Sequence, residues 1–99
     1  MREFGIYSIT NKINGKMYIG LTKQDFDTRW RQHKWSLNNQ SHENDYLQKA
    51  WNKYGQEGFV FSTLHLCDEL DDLSELEIYY IKKYNAYGDG YNLTAGGVS

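Results

Sequence analysis

The residues of this chain with the types and spacing for chemistry fall into three groups. Gly5-Ile6-Tyr7 and Tyr18-Ile19-Gly20 set two phenols and two glycines on either side of ten intervening residues. A free phenol has a pKa of about 10, so it works as a base only where cations or a metal perturb it. Arg29 and His33 stand four apart, which makes them neighbours on one helical face. On a helical wheel they border the stripe of Phe26, Trp30 and Leu37, at the rim of a core. Taken alone, that position fits a structural histidine and an arginine in a routine surface ion pair. Glu77 is the sharpest of the three. It falls inside the apolar stripe formed by Leu70, Leu73, Leu76, Tyr80, Ile81 and Tyr84, whereas Glu75 points to solvent. An ionised carboxylate on such a face costs several kcal/mol unless it is paired or binds a metal. Arg29 is the obvious pairing partner, and a divalent cation is the alternative.

These side chains need elements to carry them. Phe4 to Thr10 and Lys16 to Thr22 read as strands joined by Asn14-Gly15, a strong hairpin signal. A two-residue turn there pairs Ile13 with Lys16, Tyr18 with Asn11, Gly20 with Ile9 and Thr22 with Tyr7. Side chains alternate across a sheet, so Tyr7, Tyr18, Gly5 and Gly20 share one relatively open face. Ile6, Met17, Ile19 and Leu21 point to the other, the core side. Glycines on the open face mark a place where another molecule approaches closely, or else simple bulges. Asp25 or Asp27 caps a helix to about Leu37, and a second helix runs from about Glu43 to Tyr54, stopped by Gly55. Phe59 to Cys67 is a third strand. Asp71 or Asp72 opens a third helix, with Lys82 and Lys83 in its last turn matching the helix dipole. The order ββααβα predicts an α+β domain: a small three-stranded sheet packed with helices. Trp51, Tyr54, His65 and Cys67 read as ordinary packing or surface residues.

Composition narrows the class without naming a function. At 99 residues, 39% hydrophobic and 24% charged, the sequence describes a single globular domain. It holds no apolar run of membrane-spanning length and opens with no signal-peptide pattern. Its lone Cys67 can form neither an intrachain disulfide nor a cysteine-rich zinc site. A reducing, intracellular setting is the expectation. The net charge is −2, but residues 1–35 carry seven Lys or Arg against three Asp or Glu, and residues 36–99 carry four against ten. A basic half beside an acidic one fits a protein that offers one face to phosphate.

The paired Gly5-Ile6-Tyr7 and Tyr18-Ile19-Gly20 motifs, followed in order by Arg29, His33, His42, Glu77 and Asn92, resemble the signature of the GIY-YIG nuclease superfamily. The run Arg29-Trp30-Arg31-Gln32-His33 and the ending Gly90-Tyr91-Asn92 are most similar to the catalytic domains of phage-type homing endonucleases. The resemblance covers the whole chain and implies a three-stranded antiparallel sheet flanked by helices. It also implies roles. Glu77 would hold one divalent cation, Mg²⁺ first and Mn²⁺ second, and Arg29 would contact the scissile phosphate of DNA. Tyr7 or Tyr18 would position or deprotonate the attacking water, with His33 and His42 contributing and Asn92 supporting the site. Lys23, just past the signature, could lower a nearby phenol's pKa. Hydrolysis of a phosphodiester needs such a set: an activated water, charge stabilisation at phosphorus and neutralisation of the leaving oxygen. One carboxylate suits Mg²⁺, which keeps several waters and takes substrate phosphate as a ligand.

The resulting expectation is a metal-dependent DNA endonuclease domain over residues 1–99, with residues 93–99 as the possible start of a linker to a separate DNA-binding domain. Two other readings share the scaffold: a repair or recombination incision nuclease, and a non-catalytic DNA-binding module. The complete set Tyr7, Tyr18, Arg29 and Glu77 argues against the last.

Overall fold

The computed structural model describes residues 3–96. It contains β1 (Gly5–Asn11), β2 (Met17–Thr22), α1 (Phe26–Asn38), α2 (Asp45–Tyr54), β3 (Phe59–Leu66) and α3 (Leu73–Lys83), with short 3-10 turns at Gln56–Gly58 and Leu70–Asp72. The strands form one antiparallel sheet in the order β2-β1-β3. The expected ββααβα order and three-stranded sheet are therefore present.

The hairpin differs from expectation in its turn. Tyr7 pairs with Gly20, Ile9 with Tyr18 and Gly5 with Thr22, a shift of two residues from the two-residue turn. Asn11 is the cause. Its Oδ1 accepts the backbone N–H of Ile13 at 2.8 Å, and its own N–H donates to the Lys16 carbonyl at 2.9 Å. The loop therefore spans residues 12–15, with Gly15 at φ 79 in the left-handed region. Strand side chains repeat every two residues, so a two-residue shift leaves every one on its expected face.

Both faces of the sheet are covered, which overturns the expectation of an open tyrosine face. Tyr7 and Ile9 pack with Phe26 and Leu37 of α1, Leu47 and Trp51 of α2, and Phe59 and Tyr91. Ile6 and Ile19 pack with Leu73 and Ile81 of α3, and with Cys67 and Ala86. Each such large apolar side chain contributes roughly 1.5–3 kcal/mol by leaving water.

Local chemistry sets the helix ends. Asp25 accepts the Thr28 N–H at 3.1 Å to start α1, and Asn44 accepts the Leu47 N–H at 3.0 Å to start α2. Gly55, at φ 77, closes α2. The C-terminal segment returns along the free edge of β2, where the Tyr91 N–H donates to the Met17 carbonyl at 2.9 Å. No helix among the described residues is long and apolar enough to cross a membrane.

Candidate active site

The two motif tyrosines meet under α1. Their rings are 6.4 Å apart, and each lies edge-on to the His33 ring at 5.5 and 5.6 Å. The glycines make room for the protein itself. A β-carbon on Gly20 would lie 2.5 Å from the Tyr7 hydroxyl, and one on Gly5 would lie 1.9 Å from the His65 carbonyl oxygen. Gly20 therefore lets the end of the Tyr7 ring lie on the neighbouring strand, and Gly5 lets β3 approach β1. The sequence-based alternative of a glycine gap awaiting another molecule is corrected at both positions.

His33 is not at the rim. It is 2% exposed, inside the Tyr7 face of the sheet. The Tyr7 hydroxyl and His33 Nε2 are 2.5 Å apart, His33 Nδ1 and His42 Nε2 are 2.8 Å apart, and the backbone N–H of Asn44 donates to His42 Nδ1 at 3.0 Å. That amide can only donate, so His42 Nδ1 carries no proton. Burial lowers the pKa of both histidines, His33 to about 3, with the Arg29 charge adding to the effect. Each ring is therefore neutral near pH 7 and holds one proton. His42 keeps it on Nε2 and donates to His33 Nδ1, and His33 keeps it on Nε2 and donates to the Tyr7 oxygen. A main-chain amide thus fixes the tautomer of two imidazoles and directs a chain of hydrogen bonds toward Tyr7.

Burial also raises the pKa of Tyr7 and of Tyr18, and each is opposed by Arg29. The charges acting on the pair are Arg29, Glu77 and, on Tyr18, Glu43. Lys23 is exposed and is not among them. Lys23 instead borders a shallow cleft with Arg29 on the β2–α1 side. The half-buried Arg29 donates to Gln32 at 3.1 Å, and its charge favours ionised Tyr7.

Tyr18 opens into a cavity of about 430 Å³ whose polar lining includes Glu43, Asn44, Glu77, Asn92 and Thr94. Glu77 is half-buried and Glu75 exposed, as helical geometry requires. Gly96 folds back over Glu77, where a β-carbon would sit 3.2 Å from its Oε1. Residues 97–99, the rest of the possible linker, lie outside the described residues. Asn92 accepts the Ile19 N–H and donates to the Ile19 carbonyl, both at 2.8 Å, and so clamps the backbone between Tyr18 and Gly20.

The donor set in this cavity fits a hard cation. Carboxylate, amide and hydroxyl oxygens line it, and neither a thiol nor an imidazole does. Among the described residues, no three His, Cys, Asp or Glu side chains gather into a cage. Glu77 would be the protein ligand, with the cavity leaving room for waters.

The structure thus gathers Tyr7, Tyr18, Gly20, Arg29, His33, His42, Glu77 and Asn92, while Gly5 serves strand packing and Lys23 stands apart. Sequence reasoning missed Asn44 and Glu43. Asn44 had a visible signal as a good N-cap residue just before the second helix. What the sequence does not show is that the N–H of this cap meets a histidine.

Residues 3–92 match the family described as the GIY-YIG catalytic domain. The chain is 39% identical over 92 residues to Intron-associated endonuclease 1 of Enterobacteria phage T4, covering 90% of this chain and 36% of that protein. It is 36% identical over 97 residues to Probable intron-encoded endonuclease 1 of Neurospora crassa, covering 92% of this chain and 30% of that protein. It therefore spans about a third of the length of these curated relatives. The solved catalytic domain of homing endonuclease I-TevI superposes with a TM-score of 0.86 at 37% identity, covering 92% of this chain and 98% of that one. A single-residue variant of the I-TevI catalytic domain gives 0.87 at 36% identity, covering 94% and 95%. Nucleases of this family depend on divalent metal ions. With its paired tyrosine motifs on one hairpin, its fold and these relatives in agreement, the chain belongs to the GIY-YIG catalytic-domain family.

Proposed function

We propose that this chain hydrolyses phosphodiester bonds of DNA with Mg²⁺, or Mn²⁺ in its place, as the catalytic part of a homing-type endonuclease that has a separate DNA-binding domain. One observation carries the reading: a buried hydrogen-bond chain ends at Tyr7, whose ring lies 6.4 Å from that of Tyr18, the phenol that shares its cavity with Glu77. Tyr7 is 0% exposed, so Tyr18 is the phenol that can lose its own proton to the cavity and then, as phenolate, take one from a water there. Tyr7 packs beside Tyr18, and Arg29 counters negative charge developing at phosphorus. Glu77 would hold the cation, which supplies charge neutralisation at the phosphate and the leaving oxygen. Neutralising Glu77 also removes one of the charges that keep Tyr18 protonated. Asn92 holds the Tyr18–Gly20 backbone in place.

The test is cleavage of supercoiled plasmid at high protein concentration, with Mg²⁺, Mn²⁺ or EDTA. Metal-dependent nicking or linearisation is expected, lost in Glu77→Ala. It should fall about 100-fold or more in Tyr18→Phe, the range for removing a general base. Folded protein that cuts under no condition, even when fused to a DNA-binding domain, would overturn the reading.

A further inference from the structure

A second surface lies on the far side of Asn44 from the cavity. On α2, Tyr46, Lys49 and Lys53 recur at helical spacing and form one stripe. They face Lys16 of the hairpin and Tyr91 across a cleft of about 240 Å³, which Tyr54 closes at one end. Three lysines line this cleft and no carboxylate does, in a chain with 13 acidic residues against 11 Lys and Arg. Lys49 and Lys53 are exposed and four apart, a like-charge spacing that costs an isolated helix a few tenths of a kcal/mol. The helix dipole favours Lys53 in the last turn of α2 but gives no such reason for Lys49.

The aromatic walls hold the ammonium groups in place. Lys16 Nζ donates to the Tyr46 hydroxyl at 3.1 Å and lies 5.5 Å from its ring centre, and Lys53 Nζ lies 5.2 Å from the Tyr54 ring centre. The cleft also adjoins the catalytic cavity. Lys16 immediately precedes β2 and lies two residues before Tyr18, about 7 Å along an extended chain. Asn44 Nδ2 donates to the Tyr91 carbonyl at 2.8 Å, and the next residue, Asn92, lines the cavity.

We infer that this cleft holds the backbone of the substrate DNA beside the scissile phosphate, with Lys16, Lys49 and Lys53 pairing with successive phosphates. The inference rests on the DNA-endonuclease reading above. The Arg29 charge acts on Tyr18, and the lysine cleft begins two residues from it at Lys16, so one strand at the cavity can meet both. Phosphates recur every 3.4 Å of rise on one strand, so a cleft this near the cavity reaches those within a few nucleotides of the cut.

The test is fluorescence anisotropy of a labelled DNA duplex titrated with the Glu77→Ala protein, read across a series of salt concentrations. Lys49→Ala/Lys53→Ala should weaken binding roughly tenfold or more at low salt and flatten the slope of log K against log salt by about 1.8. Lys82→Ala/Lys83→Ala removes the same charge from α3, on the opposite face of the sheet, and should leave affinity and slope within about twofold. Equal effects of the two double variants, or no effect of the first, would overturn the cleft. Absence of measurable DNA binding at low salt would overturn it as well. Failure of metal-dependent cleavage with cleft-dependent binding intact would instead count against the nuclease reading alone.

Discussion

At Tyr7 the direction of one hydrogen bond decides what a neighbouring imidazole can do. His33 donates its only proton to the Tyr7 oxygen, so in this arrangement it cannot receive the Tyr7 proton. Reversing the chain would put a proton on His42 Nδ1 against the Asn44 N–H, which has no acceptor capacity. Asn44 is thus a positioning residue: its amide sets the tautomers, its Oδ1 caps α2 and its Nδ2 holds Tyr91. Nitrogen chemical shifts of the imidazoles measured between pH 7 and 8 should show the Nε2–H tautomer on both His33 and His42. A Nδ1–H signal on either ring would refute the assignment. The motif residues were legible because their types are unusual for their places: phenols flanked by glycines, and a carboxylate in an apolar stripe. His33 was read as a rim residue because a helical wheel shows the direction of a side chain but not how deep its helix sits.

Among the elements, β2 matters most to the site, and it has two unequal neighbours. Ladder pairing with β1 supports one edge. The other is held by the Asn92 clamp on Ile19 and by the Tyr91 bond to Met17, contributions from a segment whose sequence reads only as irregular. Such a clamp is invisible before folding, since nothing local in Gly90-Tyr91-Asn92 says which edge it will join. The hairpin faces were legible despite the wrong turn, because a shift of two residues preserves them. That both faces would be covered was not legible, since periodicity shows that α1 and α3 are amphipathic but not which side of the sheet each takes. Gly20 allows a test at this scale. In Gly20→Ala the new methyl meets the Tyr7 ring end at 2.5 Å, with His33 bonded to the same hydroxyl. The variant should lose about 1–3 kcal/mol of stability, the usual cost of overpacking, and its cleavage should fall further than stability alone explains. Urea unfolding beside plasmid cleavage checks both. Unchanged stability would mean that Tyr7 has freedom to move.

For the molecule as a whole, the buried histidines couple folding to pH. His33 has a folded pKa pushed down to about 3 by burial first, then by Arg29 and His42, against 6.5 for a free imidazole. The unfolded chain therefore takes up a proton at His33 as pH falls below about 6.5, while the folded chain excludes it. Its contribution to stability is fully present above that pH and is lost progressively down toward 3, by about 1.4 kcal/mol per pH unit for one proton. The lowered pKa of His42 adds in the same direction. Unfolding by urea at a series of pH values should show stability falling from pH 6.5 to pH 4 with a slope of at least one proton. In His33→Gln, whose side chain can still donate to Tyr7 but does not titrate, that slope should shrink by about one proton. The variant should be less stable at pH 7.5 yet close the gap on wild type at pH 4. Parallel curves for the two proteins would mean that the folded state accepts a proton at His33, and the tautomer chain would then fail at its first ring.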